Sequence, residues 1–201
     1  MTRVAAMASR LVRGTAIAAG VAALAGLGIG FAAGKPVDPK DILPARKLPA
    51  DLCGRLGDVS QLLPKAPTGT PAPKLVQTGA SAVRCSAKAE ASTQPTHTSA
   101  ELIITITPYA GKDAGAGQSP FKPDAVARQA FDRKALEVVP GRPSTKMDSR
   151  ENAGGQSWNV TVLALNADVV VQVDYNAHPI ERGAAEQAAQ VMADRAIWES
   201  K

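Results

Sequence analysis

From Ala100 to Tyr109 the chain alternates. Leu102, Ile104 and Ile106 fall on one side, and Ile103, Thr105 and Thr107 on the other, the period-two pattern of a strand. Ala82–Ala89, which contains Cys85, alternates more weakly, and Lys74–Thr78 is a short candidate closed by Gly79 and Ala80. Farther along, Ser157–Leu165 and Asp168–Asn176 read as consecutive strands. The tight turn between them falls at Asn166-Ala167, because Asn tolerates the left-handed backbone such a turn needs. Three stretches carry helical spacing instead. Leu52, Leu56, Val59 and Leu63 share one face of a helix over Asp51–Leu63, capped by Asp51 and ended by Pro64. Val126, Ala127, Ala130 and Phe131 form the apolar stripe of a second helix, which begins after Pro123 and ends before Pro140. Ala185, Ala188, Ala189, Met192 and Ala196 form a stripe of small residues along a third, Ile180–Ser200, suited to close packing on a sheet.

Polar or Pro/Gly-rich loops fill residues 64–73, 90–98, 110–120 and 140–155. The predicted order is α-β-β-β-α-β-β-α. Hairpin-length connections make the sheet antiparallel, so the expected fold is α+β: a two-layer sandwich with the helices on one face.

The first fifty residues follow another rule. Arg3, Arg10 and Arg13 precede an uncharged run, Gly14–Gly34, of 21 residues. As a helix it would extend about 31 Å, near the thickness of a hydrocarbon core. The basic flank predicts an N-terminus kept in the cytoplasm and a C-terminal part outside. A cleaved signal peptide shares this arrangement, with Gly30, Ala32 and Gly34 as small residues for a cleavage site. The run is longer than an ordinary signal core, so the reading is an uncleaved transmembrane anchor over 14–34. A tail of residues 1–13 lies before it, and a Pro-rich linker over 35–50, carrying Pro36, Pro39, Pro44 and Pro49, follows. The extracytoplasmic domain is expected at 51–201. Gly26, Gly30 and Gly34 have the spacing that lets two membrane helices approach, although an Ala/Gly-rich run produces such spacings by composition alone.

Charge removes one class of function. The net +5 is held within residues 1–50, where Arg3, Arg10, Arg13, Lys35, Lys40, Arg46 and Lys47 outnumber Asp38 and Asp41. Residues 51–201 are neutral overall, so the domain has no electrostatic footprint for nucleic acid. The linker cations Lys35, Lys40, Arg46 and Lys47 read as solvated charges, with contact to anionic lipid or wall polymers as the alternative. Cysteine usage agrees with export. Cys53 and Cys85 are the only two, and an even count in an oxidising compartment reads as a disulfide. Two free buried thiols and a metal pair are the alternatives, and neither His lies near a Cys in sequence to extend a metal site.

Leu52-Cys53 opening a helix, Arg84-Cys85-Ser86 on a strand, the Gly154-Gly155 approach to a strand, and the run from Asn166 to Tyr175 before an Ala-rich helix together resemble a family. This is a group of small actinobacterial exported domains, lipoproteins or membrane-anchored proteins of unknown function. The resemblance covers about residues 48–200. It implies an export-linked domain with a Cys pair and no assigned catalytic residues. No cofactor is expected.

Candidate chemistry is sparse. His97 sits in a Thr/Ser/Pro-rich loop. His178 follows Asp174 at a strand end, where an Asp-His pair could do acid-base work, but Pro179 and the start of the next helix favour a plain strand-to-helix turn. Ser119 and Lys122 have serine-lysine spacing, but Pro120 and Pro123 break the helical turn that motif needs. Gly111, Gly115 and Gly117 form no phosphate-binding pattern. Trp158 and Tyr175 lie across the expected hairpin from each other, as core or as a small aromatic patch. The expected function is a membrane-anchored binding or interaction module of the cell envelope, not an enzyme. An envelope hydrolase using Asp174 and His178 is the alternative. Recognition is expected on loops 64–73 and 110–120.

The anchor has a direct consequence. The full-length protein should fractionate with membranes and keep its N-terminal sequence. A soluble exported form beginning near Ala33 or Lys35 would show cleavage and remove the anchor.

Overall fold

A computed structural model of the chain describes residues 38–60, 75–79, 81–93, 96–115, 118–152 and 156–201, with residues 90–93 and 96–98 as backbone only. The run 14–34 and the loop 64–73 lie outside the described residues. No helix among the described residues is long and apolar enough to cross a membrane. Two compact units divide the chain. The smaller holds residues 1–42 and 113–120, and the larger holds 43–112 and 121–201.

The larger unit is built on one seven-stranded sheet: β1 (Val76–Thr78), β2 (Val83–Thr93), β3 (Thr96–Pro108), β4 (Glu137–Val139), β5 (Arg142–Glu151), β6 (Trp158–Asn166) and β7 (Val169–His178). Their order across the sheet is β1-β2-β3-β7-β6-β5-β4, and every pairing between these strands is antiparallel. Two meanders, β1–β3 and β4–β7, therefore join at the β3–β7 seam. Three helices complete it: α1 (Leu52–Arg55), α2 (Pro123–Asp132) and α3 (Arg182–Glu199). The α+β class holds.

The main core lies on one face. Val83, Cys85, Leu102, Ile104, Ile106, Val160, Val162, Val171, Val173 and Tyr175 all project there and are buried. Alternation along each strand puts them on the same side, and burial of each large side chain is worth about 1.5–3 kcal/mol. The stripe of α3 covers this face. Ala185, Ala188, Ala189, Met192 and Ala196 are buried as expected, joined by Ala193. Small side chains let the helix axis approach the sheet closely. Leu52, Leu56 and Val59 of the α1 segment are fully buried against the same core. Cys53 and Cys85 form a disulfide with a Cα–Cα distance of 5.5 Å, tying α1 to β2. In the chain-entropy picture a loop of this length contributes about 3–4 kcal/mol.

Several features depart from the sequence expectation. First, the helices do not share one face. Ala127 and Phe131 of α2 pack with Leu163, Leu165 and Val170, which point away from the main core. The chain must cross from central β3 to the far edge β4, and α3 already fills the other face. Second, residues 137–151 form β4 and β5 instead of a helix end and a loop. Pro140 and Gly141 turn them, with Gly141 at φ +75°, the chemistry of a type II turn. Third, α1 is a single turn. Gly57 ends it at φ +68°, and Asp51 makes no capping hydrogen bond but accepts from Arg55 Nε at 2.9 Å. Fourth, residues 90–93 and 96–98 continue as β2 and β3, in register as far as Thr93 opposite Thr96. The β6–β7 turn also lies one residue later than expected, with Ala167, not Asn166, at φ +51°.

The Pro-rich segment is docked from Leu43 onward. Leu43 accepts from the Gly111 N–H at 2.8 Å, and Leu48 packs on the core. Arg46 is no solvated charge. Its guanidinium makes a two-pronged pair with Asp168 and also donates to the Ser200 carbonyl at 3.4 Å.

Lys146 of β5 holds α2 in place. Its Nζ donates to the carbonyls of Phe131, Asp132 and Lys134 at 3.0, 3.2 and 3.0 Å, the orphan acceptors of a helix end. It also lies 4.8 Å from the centre of the Phe131 ring. Lys146→Ala leaves those carbonyls without their donor and should cost roughly 2–3 kcal/mol. Arg142→Ala removes a solvent-exposed pair with Asp194 and should cost under about 1 kcal/mol. Denaturant unfolding of the two variants checks the contrast, and equal losses would contradict it.

Candidate functional site

The face opposite α3 is only partly covered. α2 lies over the rows that contain Leu163, Leu165 and Val170. Two further rows are left open. In one, register places Asp148, Thr161, Asp174 and Ile103 side by side on β5, β6, β7 and β3. In the next stand Arg150, Asn159, Asn176 and Glu101. Adjacent strands are about 4.8 Å apart, and the two rows are separated by about 7 Å along the strands. These residues, with Leu136 as one wall, line a groove of about 460 Å³.

The polar groups in the groove are held by one another. Asp174 accepts from Thr161 Oγ1 at 2.9 Å and from Gln172 Nε2 at 2.8 Å. Arg150 Nε donates to Asp148 at 2.7 Å. Beyond the second row, Asn159 Nδ2 donates to Asn152 Oδ1 at 2.7 Å, and Asn152 Nδ2 donates to Ser157 Oγ at 3.0 Å. Glu101, Asp148 and Asp174 give the groove three carboxylates against one guanidinium. The floor is a paired sheet whose backbone is satisfied by its own ladder, so the side chains carry the chemistry. Carboxylates, amides and a hydroxyl offer hydrogen bonds to a neutral polar or a cationic ligand.

Asp174 and His178 are not brought together. They lie four residues apart on β7, on one side of the strand, which separates their Cα atoms by about 13 Å. A hydrogen-bonded acid-base pair needs contact near 3 Å. His97 falls on β3, where only the backbone is described. Ser119 precedes α2 and Lys122 is its N-cap residue, so no helical turn links them. The loop 110–120 is anchored at its base by paired hydrogen bonds between Lys112 and Phe121, and residues 116 and 117 lie outside the described set. Among the described residues, no three His, Cys, Asp or Glu side chains are grouped to hold a metal ion.

Tyr175 belongs to the core, 2% exposed. Trp158 packs half-buried against the same core, with the Arg182 guanidinium 5.5 Å from its ring centre. The open rows are hidden in the sequence because their outer edge, Asp148 and Arg150, lies on β5, whose polar side chains resemble a loop. The alternation of Lys146, Asp148 and Arg150 against Thr145 and Met147, directly after Pro140-Gly141, was the available signal.

No family model matches the chain, and no curated protein matches it.

The chain has two tyrosines, and burial raises both. Tyr109 is moved up from its ordinary 10.0, and Tyr175 is pushed up to about 12. The folded state thus favours the neutral phenol. The stability contributed by Tyr175 is complete below pH 10.0 and is lost as pH rises toward about 12. Tyrosinate absorbance of the folded protein should lag behind that of the denatured chain, with Tyr175 last. Coincident titration curves would contradict the burial.

Proposed function

We propose that this protein is a membrane-anchored, extracytoplasmic binding module of the cell envelope, and that it is not an enzyme. Residues 14–34 hold it in the cytoplasmic membrane as a single pass, with the N-terminus in the cytoplasm and the domain outside. The observation that carries the binding role is the pair of open polar rows across β5, β6, β7 and β3. They bring Asp148, Thr161, Asp174, Asn159, Asn176 and Glu101 to one surface on a rigid sheet. The disulfide supports an oxidising compartment. The basic flank and uncharged run support export.

Such a surface suits an extended polar ligand laid across the strands. Its acceptors and amides are pre-positioned by their mutual hydrogen bonds, which lowers the ordering cost of binding. The hydrolase alternative needs Asp174 and His178 in one catalytic contact, and about 13 Å of strand separates them.

Asn159→Arg combined with Asn176→Arg fills the second row with bulk and positive charge, while the core face is untouched. Cross-linking in intact cells, followed by recovery of the full-length protein from membranes, reads the outcome. A partner should be recovered with wild type and with His178→Ala, and lost with the double variant. Loss of a hydrolytic activity in a folded His178→Ala protein would overturn the reading.

A further inference from the structure

We propose that the end of the domain carrying the β6–β7 turn docks on the surface of an anionic lipid bilayer; this rests on the reading of residues 14–34 as a membrane anchor. Three of the large apolar side chains most exposed to solvent gather at this end: Leu43 at 55%, Phe121 at 40% and Trp198 at 68%. Backbone contacts bring them there. Gly111 hydrogen-bonds to Leu43, and the neighbouring Lys112 pairs with Phe121. Arg46 joins the Leu43 segment both to Asp168 in the turn and to the Ser200 carbonyl beyond Trp198.

Lysines interleave with these apolar groups. Lys112 pairs with Phe121, Lys122 follows Phe121 in the chain and Lys47 follows Arg46, and all three lysines are exposed. Lys201 Nζ lies 4.5 Å over the Trp198 ring. Asp168 is taken up by Arg46; the acids nearest these lysines and apolar groups in sequence are Asp41, Asp113, Asp124 and Glu199. An exposed Trp, a Phe and a Leu among lysines is the composition of a surface that sits at the headgroup level. The rings enter the interface, and the ammonium groups meet lipid phosphates.

The chain length commits the occupant. Only eight residues, Lys35–Ile42, separate the uncharged run from Leu43, and fully extended they reach about 26–29 Å. Two of them are prolines, Pro36 and Pro39. The lysine-rich end is therefore held within reach of the bilayer at high effective concentration. The open polar rows extend along the strands away from the turn, so docking leaves them facing outward.

The test uses the full chain in vesicles of phosphatidylglycerol and phosphatidylcholine, with Trp158→Phe leaving Trp198 as the sole tryptophan. Acyl-chain-brominated lipids should quench Trp198, and iodide in the water should not reach it. Each of Lys47→Gln, Lys112→Gln and Lys122→Gln should lower the docked-to-undocked ratio about fivefold, the increment an anionic surface gives one basic side chain. Vesicles of phosphatidylcholine alone should lower it further. If Trp158→Phe disturbs the fold, the difference between wild type and Trp198→Phe reads the same residue. Protein that sediments with the vesicles while Trp198 stays unquenched and open to iodide overturns the docking alone. Protein that does not sediment with them overturns the anchor and the docking together.

Discussion

The fold depends on the register of one seam. β3 and β7 are distant in sequence and are the only junction between the two meanders of the sheet. Their pairing sets Leu102 opposite Tyr175, Ile104 opposite Val173 and Ile106 opposite Val171, all on the face that α3 closes. The same pairing sets Glu101 opposite Asn176 and Ile103 opposite Asp174 on the other face. A slip of one residue would bury the polar pairs and expose the aliphatic ones. Core and candidate site are thus two sides of one choice. The disulfide and the small-residue stripe of α3 act on the core side, and they stabilise the site without touching it.

The second face is divided by a topological necessity. The chain leaves β3 at the centre and must reach the edge at β4, so α2 crosses the sheet. It buries Leu163, Leu165 and Val170 beneath Phe131, and Lys146 fixes its C-terminal end through three carbonyls. Beyond α2 the strands change from aliphatic to polar on that face. The groove exists because one helix is too short to cover a seven-stranded sheet, and the residues it leaves open are hydrogen-bonded amides, carboxylates and a hydroxyl.

Much of this was legible in the amino-acid pattern, for physical reasons. β3 and the second half of β7, buried on one side, alternate, and α3 carries a stripe of mainly small residues. The Cys pairing followed from an even count of two. β5 was hidden because its outward positions are Lys146, Asp148 and Arg150, and Pro143 lies within it; nearly all its apolar content is Met147. Side-chain chemistry there reads as loop until the partner strand is known. The sequence gives no sign that Arg46 is paired, because its acceptor, Asp168, is remote in the chain. Asp174 and His178 are close in sequence, but an extended strand turns four residues into about 13 Å. The side on which α2 packs has no local signal at all, since it is set by where the chain must next arrive.

The central claim is that the open rows are the surface through which this protein acts. A photo-cross-linking scan of the full-length protein in its native membrane tests it most directly. A photoreactive residue is placed in turn at Ile103, Asn159 and Asn176 in the rows, and at Val138 and Gln187 elsewhere on the surface. The account predicts one discrete cross-linked product from the three row positions and none from the other two. A product that forms from Val138 or Gln187 while the row positions stay silent would contradict it.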